Sequence, residues 1–248
     1  MSKDNLGDRM KEYEKVSRNS LQRKMPVIMR LDGKAFHTFT RGLNKPFDSD
    51  LNLAMADTAK YLCEQIQGAV MGYTQSDEIS ILLQDYENEK TDCWFGYDVQ
   101  KMTSVSASMA TAFFNSRFQH PTNRNFAIFD SRVFNIPFIE IENYFIFRNN
   151  DANRNSLNTF AQSVFSHKQL HGKSQIEVKH MLLEIGLDID TLELRYRNGW
   201  VVCKCDERIV NDAGEVQKSF FIREQSPFFL HNREYLTKLV EGYDRINF

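Results

Sequence analysis

The chain has 248 residues, 42% of them apolar and 26% charged, which is an ordinary globular composition with enough length for a real core. No apolar run approaches a bilayer span, and Met1-Ser2-Lys3-Asp4 carries no hydrophobic leader, so no membrane association and a cytoplasmic location are the default expectations. The net charge of −2 argues against a protein that coats nucleic acid non-specifically.

Residues 5–24 are polar with sparse apolar positions and read as a helix that packs weakly or docks on a partner. Pro26 precedes a strand over 27–32. Gly33, Gly42, Asn44 and Pro46 make 33–47 a loop. Asp48-Ser49-Asp50 supplies cap chemistry for a helix over 49–67, whose buried stripe runs through Leu51, Met55, Thr58/Ala59, Leu62 and Ile66. Residues 69–74 and 79–84 are strand-like runs joined by Gln75-Ser76-Asp77-Glu78, a β-hairpin. A second helix over 96–118 carries small residues between Met102, Met109 and Phe113, and a strand region follows over 125–136.

This order, β-α-β-β-α-β, predicts an α+β, ferredoxin-like antiparallel sheet with both helices on one face. It sets the end of the first strand beside the hairpin, so Asp32 and Asp77 become neighbours. Residues 137–248 read as an extension packed on that 1–136 core within one compact unit. Pro137 starts a helical region over 139–166 with a polar interruption at Asn149–Ser156. The basic run 167–180, a helix near 176–186 and a β-rich tail follow, the tail with strands at 199–205 and 216–223 and a turn at Asn211-Asp212-Ala213-Gly214.

Charge is unevenly spread. Residues 1–45 hold 11 Lys/Arg against 5 Asp/Glu, a balance of +6, and residues 46–100 hold 2 against 11, a balance of −9. A basic segment beside an acidic one suits a polyanion next to a metal site, and equally suits solvated helix faces. The cysteines at 63, 93, 203 and 205 form no C-x-x-C pair, which disfavours a disulfide framework or zinc ribbon. Cys203 and Cys205 are expected as reduced core residues on one side of a strand.

Two carboxylate clusters at neighbouring strand ends suit hard divalent metals, and Mg²⁺ held this way commonly handles phosphate. Gly33 lets backbone approach phosphate with its carbonyl free for metal, and the amides through His37 form an anion nest. His167 and His171 have zinc-ligand spacing if helical, but no further ligand accompanies them. The aromatic cluster Phe134, Phe138, Tyr144, Phe145 and Phe147 reads as core in preference to a base-stacking surface.

Arg30-Leu31-Asp32-Gly33-Lys34-Ala35-Phe36-His37, together with Gln75-Ser76-Asp77-Glu78-Ile79-Ser80, resembles the signature of the tRNA-His guanylyltransferase family. Those enzymes are reverse, 3′-to-5′ nucleotide polymerases with a palm like that of ordinary polymerases. The resemblance extends through Lys45-Pro46, Asp48, Phe129-Asp130-Ser131-Arg132 and Arg148 to Thr159, and fades in the tail. It implies that Asp32, the Gly33 carbonyl and Asp77 ligate two Mg²⁺ ions, with Glu78 supporting them. It implies that residues 32–37 (Lys34, Ala35 and Phe36 among them) and Ser76 hold the triphosphate of ATP or GTP, with Arg30, Lys45 and Arg132 as further nucleotide contacts. It places Arg148, Asp151, Arg154 and Asn155 in a tRNA-handling helix and Lys173 in a basic loop, and it suggests a homotetramer. Asn153 stands where eukaryotic members have histidine. That departure resembles the bacterial and archaeal branch, whose implied work is template-dependent repair of tRNA 5′ ends. A nucleotide cyclase on the same palm and a non-catalytic RNA-binding module are the competing readings.

Overall fold

The computed structural model describes residues 5–121, 126–211 and 214–241, leaving aside the side chains of 206–211 and 214–218. Residues 1–4, residue 125 of the expected strand, and Asp212 and Ala213 of the expected turn lie outside the described residues.

The elements in order are α1 (Leu6–Lys15), β1 (Val27–Gly33), α2 (Phe36–Phe39), α3 (Ser49–Gln65), β2 (Ala69–Gln75), β3 (Glu78–Leu83), α4 (Val99–Arg117) and β4 (Phe129–Asn135). They continue with α5 (Ile141–Gln162), α6 (His167–Leu170), α7 (Gln175–Glu184), α8 (Leu194–Arg197), β5 (Trp200–Asn211), β6 (Gly214–Gln225) and α9 (Arg233–Glu241). The antiparallel sheet runs β4-β1-β3-β2-β5-β6. Its first four strands with α3 and α4 are the expected ferredoxin-like unit. The β5–β6 hairpin extends that sheet past β2.

Both faces of the sheet are buried. Val27, Met29, Leu31, Ile79, Ile81 and Leu83 pack with α3 and α4, and Ile28, Met71, Tyr73, Leu82, Val201 and Cys203 pack with α5 and α9. Every residue of β3 is therefore buried, and its two polar residues, Glu78 and Ser80, are bonded to Arg30 and Arg148 and to Tyr144. The Asp48 carboxylate caps α3 at the Leu51 amide (3.0 Å), and Asp98 caps α4 at the Lys101 amide (3.0 Å). All four cysteines are buried and none is in a disulfide among the described residues.

Several expectations are corrected. The first helix ends at Lys15 and buries none of its residues. The segment after it is strapped to the 85–98 loop, with Lys24 N donating to Asp85 Oδ1 (2.8 Å) and Leu21 N to Tyr97 O (3.0 Å). The α4 stripe is Met102, Ser106, Ala110 and Phe114, while Phe113 stacks on Tyr61 at 4.2 Å. Helix α5 runs unbroken through 149–156, because Asn149 and Ser156 point inward from the same face as Ala152. Part of the basic run is helical in α6 and the start of α7. Helix α9 lay in a region read as β-rich; it follows a tail whose strands are longer than expected.

Candidate active site

The strand register builds the site. Asp32 ends β1 with Glu78 opposite it on β3 and Asp130 opposite it on β4, and Gln75 stands opposite Glu78 on β2. Cross-strand partners share a face, so Asp130, Asp32, Glu78 and Gln75 form one row on the α5 side of the sheet. The row behind it is Arg132, Arg30, Ser80 and Tyr73. Asp77 sits in the two-residue turn between β2 and β3, and its carbonyl accepts from Gly33 N at 3.0 Å. That bond ties the tip of the hairpin to the end of β1 and holds Asp77 beside Asp32.

Burial pushes the Asp77 carboxyl above its usual range, and the negative charge of Asp32 adds to the shift. Ser76 Oγ donates to Asp77 Oδ1 at 3.0 Å and opposes it. Two neighbouring carboxylates, one of them held where burial opposes its charge, make a donor set that suits a hard divalent cation. Among the described residues no three or more His, Cys, Asp or Glu gather into a closed cage. Mg²⁺ needs no such cage, since one or two carboxylates serve when phosphate oxygens and water complete its shell.

In front of the carboxylates, Gly33, Ala35, Phe36, His37, Thr40, Leu51, Ser76 and Asp77 line a cavity of about 370 Å³. Ala35 (φ 54°) and Ser76 (φ 51°) both lie in the left-handed region that favours glycine, so the cradle holds two strained residues on facing loops. The amides of Gly33 and Lys34 are spent on Asp77 O and Ile128 O, which narrows the expected nest. Those of Ala35, Phe36 and His37 have no partner among the described residues. Gly33 is required for packing: a Cβ there would stand 2.2 Å from the Phe36 ring, which fills the space beside it.

Glu78 does not face the cavity as a free acid. It is 5% exposed and accepts from Arg30 Nη2 (2.6 Å) and Arg148 Nη1 (2.9 Å). Burial raises its carboxyl against the pull of both guanidinium groups. Arg30 also reaches to 3.8 Å from Asp32 Oδ1, so Glu78 holds a positive charge beside the first carboxylate. Arg132 is exposed on the edge strand and contacts Asp130 at 3.4 Å.

A second cavity, also about 370 Å³, opens from the first and shares His37, Thr40, Leu51 and Ser76 with it. Lys45 and Asp48 line one side, Ala152, Asn155 and Ser156 of α5 another, and Arg195 and Tyr196 a third. Phe47 stacks on Tyr196 (5.0 Å, 16°) and the Arg195 guanidinium lies over the same ring at 4.6 Å. Arg195 and Tyr196 escaped sequence reasoning because nothing in their local pattern ties them to a loop some 150 residues earlier. Gln75 stood inside the quoted motif and was open to being singled out.

The residues expected to handle tRNA do not form one surface. Arg148 is 5% exposed and committed to Glu78, which makes it a positioning group. Asp151 pairs with both Arg148 and Arg154, and Arg154 is exposed. Asn155 faces the second cavity, and Lys173 is exposed but paired with Glu177 at 3.2 Å. Asn153 turns inward, its amide donating to Asn198 Oδ1 at 3.2 Å.

Residues 7–137 match the family model described as tRNAHis guanylyltransferase. A bacterial tRNA(His) guanylyltransferase-like protein in complex with ATP is 39% identical, with a TM-score of 0.85 over 95% of this chain and 99% of that one. The corresponding complex with GTP is 38% identical, with a TM-score of 0.80 over 96% and 99%. An uncharacterized protein of Acanthamoeba polyphaga mimivirus is 30% identical over 64% of this chain. That match spans 63% of the viral protein, less than two thirds of its length.

Proposed function

This chain belongs to the tRNAHis guanylyltransferase family, and from that premise we propose that it is a Mg²⁺-dependent nucleotidyltransferase extending the 5′ end of tRNA. The observation that carries the reading is the closeness of Asp32 to Asp77, tied by the Gly33–Asp77 backbone bond, beside a cavity lined by Asp77 and the 35–37 turn with its unpartnered amides. The bacterial relatives bound to ATP and GTP support a nucleoside triphosphate as the ligand.

In this reading the triphosphate lies against the free amides of Ala35, Phe36 and His37, with Ser76 and Lys34 at hand, and the base and ribose enter the second cavity. Asp32, Asp77 and the Gly33 carbonyl would hold Mg²⁺, which, when bound, supplies positive charge to the phosphate oxygens and to an attacking hydroxyl. Arg30, kept in place by Glu78, offsets charge beside Asp32. A 5′-monophosphate end first attacks the α-phosphate of a nucleoside triphosphate and releases pyrophosphate; the 3′-hydroxyl of the incoming nucleotide then loses its proton and attacks the 5′ phosphate of that anhydride, releasing the activating nucleoside monophosphate. Pre-positioned charge at the carboxylate row is the main contribution of the protein to both steps.

The inward Asn153 supports templated repair over recognition of one tRNA, since that side chain is engaged inside the protein. A homotetramer would gather the scattered Arg154, Arg132 and Lys173 of several copies around one RNA. Sedimentation that finds a fully active monomer rejects that assembly.

The test is incubation with 5′-truncated tRNA, labelled nucleoside triphosphates and Mg²⁺. Lengthening of the 5′ end is expected, and Asp32→Ala should lower its rate by about 10²–10³-fold with the far-UV circular dichroism unchanged. A cyclic nucleotide formed without RNA favours a cyclase instead. RNA binding indifferent to Mg²⁺ and nucleotide, with no product, favours a binding module.

A further inference from the structure

Gln75 occupies the carboxylate row one strand beyond Glu78, and it lines the second cavity. It is 9% exposed, yet no described residue makes a hydrogen bond to its side-chain amide. The other buried amides nearby are fully engaged. Asn149 donates to Asn198 O (3.1 Å) and accepts from Phe229 N (2.9 Å), and Asn198 donates to Ser226 O (3.2 Å). An amide on a cavity wall with no partner in the protein is placed to bond whatever occupies that cavity. Across the same cavity Ser156 Oγ is buried without a partner, a costly state unless a ligand or water supplies the bond. The cavity opens directly onto the phosphate cradle and is walled by the Phe47–Tyr196 stack.

A ligand that fits both spaces has phosphates at one end and a flat group with a hydrogen-bonding edge at the other. We propose that Gln75 is a base-binding residue of the second cavity, its amide pairing with the edge of the purine base of the bound nucleotide. The proposal rests on the nucleotide-binding reading above. A primary amide carries a donor and an acceptor side by side and can turn over, so one residue serves a 6-amino or a 6-oxo purine. Asp32 and Asp77 then act on phosphate, while Gln75, two residues before Asp77, holds the purine base that accompanies it.

Equilibrium binding of ATP, GTP and inorganic tripolyphosphate, in Mg²⁺, to the full chain and to Gln75→Leu is the experiment. Both nucleotides should bind the variant about tenfold more weakly, with tripolyphosphate unchanged and the Tm of the free protein not lowered. Gln75→Glu keeps an acceptor and loses the donor, and the ratio of ATP to GTP affinity should move by roughly threefold or more. Unchanged nucleotide affinity in the leucine variant, equal loss for all three ligands, or an unmoved ratio in the glutamate variant overturns the assignment. Wild-type protein that binds none of the three ligands is a different failure: it removes the nucleotide reading and this inference with it.

Discussion

At the scale of single residues, the site places charge where burial opposes it. Asp77 has its carboxyl raised by burial and by Asp32, so its ionised form is the disfavoured one in the folded protein. A carboxyl raised by folding costs stability as pH climbs from its ordinary value of 3.8 through the raised one, and that cost is present in full above the raised value. Asp77→Asn is therefore expected to raise Tm in metal-free buffer at pH 7, with the difference closing as the pH falls toward 3.8, as thermal melts across that range would register. Activity should be lost in the same variant. Glu78→Gln is expected to act in the opposite sense on stability. It leaves Arg30 and the buried Arg148 without their carboxylate, a change that costs about 3 kcal/mol or more and is read from the urea midpoint. Asp32 and Asp77 were legible from their motifs, because each closes or joins a strand. Glu78 read as a metal helper; only its two arginine partners show it to be an anchor.

At the scale of elements, α5 joins the carboxylate row to the rest of the chain. Tyr144 bonds Ser80 Oγ at 2.9 Å, Arg148 reaches Glu78, and Asn149 holds Tyr73, Asn198 and Phe229 together. Asn149→Ala should destabilise the protein by about 2–4 kcal/mol, since several buried groups lose a partner at once. Amide hydrogen exchange should show the loss in α9 and β5 as well as in α5; an effect confined to α5 would contradict the hub. The polar run 149–156 misled the sequence reading because its inward Asn and Ser look like loop residues until the sheet supplies their bonds. Helix α7 is an opposite case, signalled locally by Ser174 and Glu177 in a reciprocal cap. Backbone and side-chain bonds from Ser174 lower the Glu177 carboxyl to about 2, so its contribution is present above 4.5 and fades as pH falls toward 2.

At the scale of the molecule, the six-stranded sheet is covered on both faces, and the second cover comes from residues beyond 137. A fragment ending at residue 136 would expose Ile28, Met71, Tyr73 and Leu82, and it is expected not to fold, giving a poorly dispersed amide spectrum. The full chain should unfold in a single calorimetric transition; two separated transitions would show that core and extension are independent. By itself the sequence determined the β-α-β-β-α-β order and the place of Asp32 and Asp77, because strand periodicity, helix caps and tight turns are encoded within a few residues of where they act. The tertiary structure decided the pairing of Glu78 with Arg30 and Arg148, the bond of Asn153 to Asn198, and the second cavity that Gln75 lines together with Arg195 and Tyr196. Those relations join residues about 45 to 120 positions apart in the chain, and their physical cause, the exclusion of water between packed elements, exists only once the chain has closed on itself.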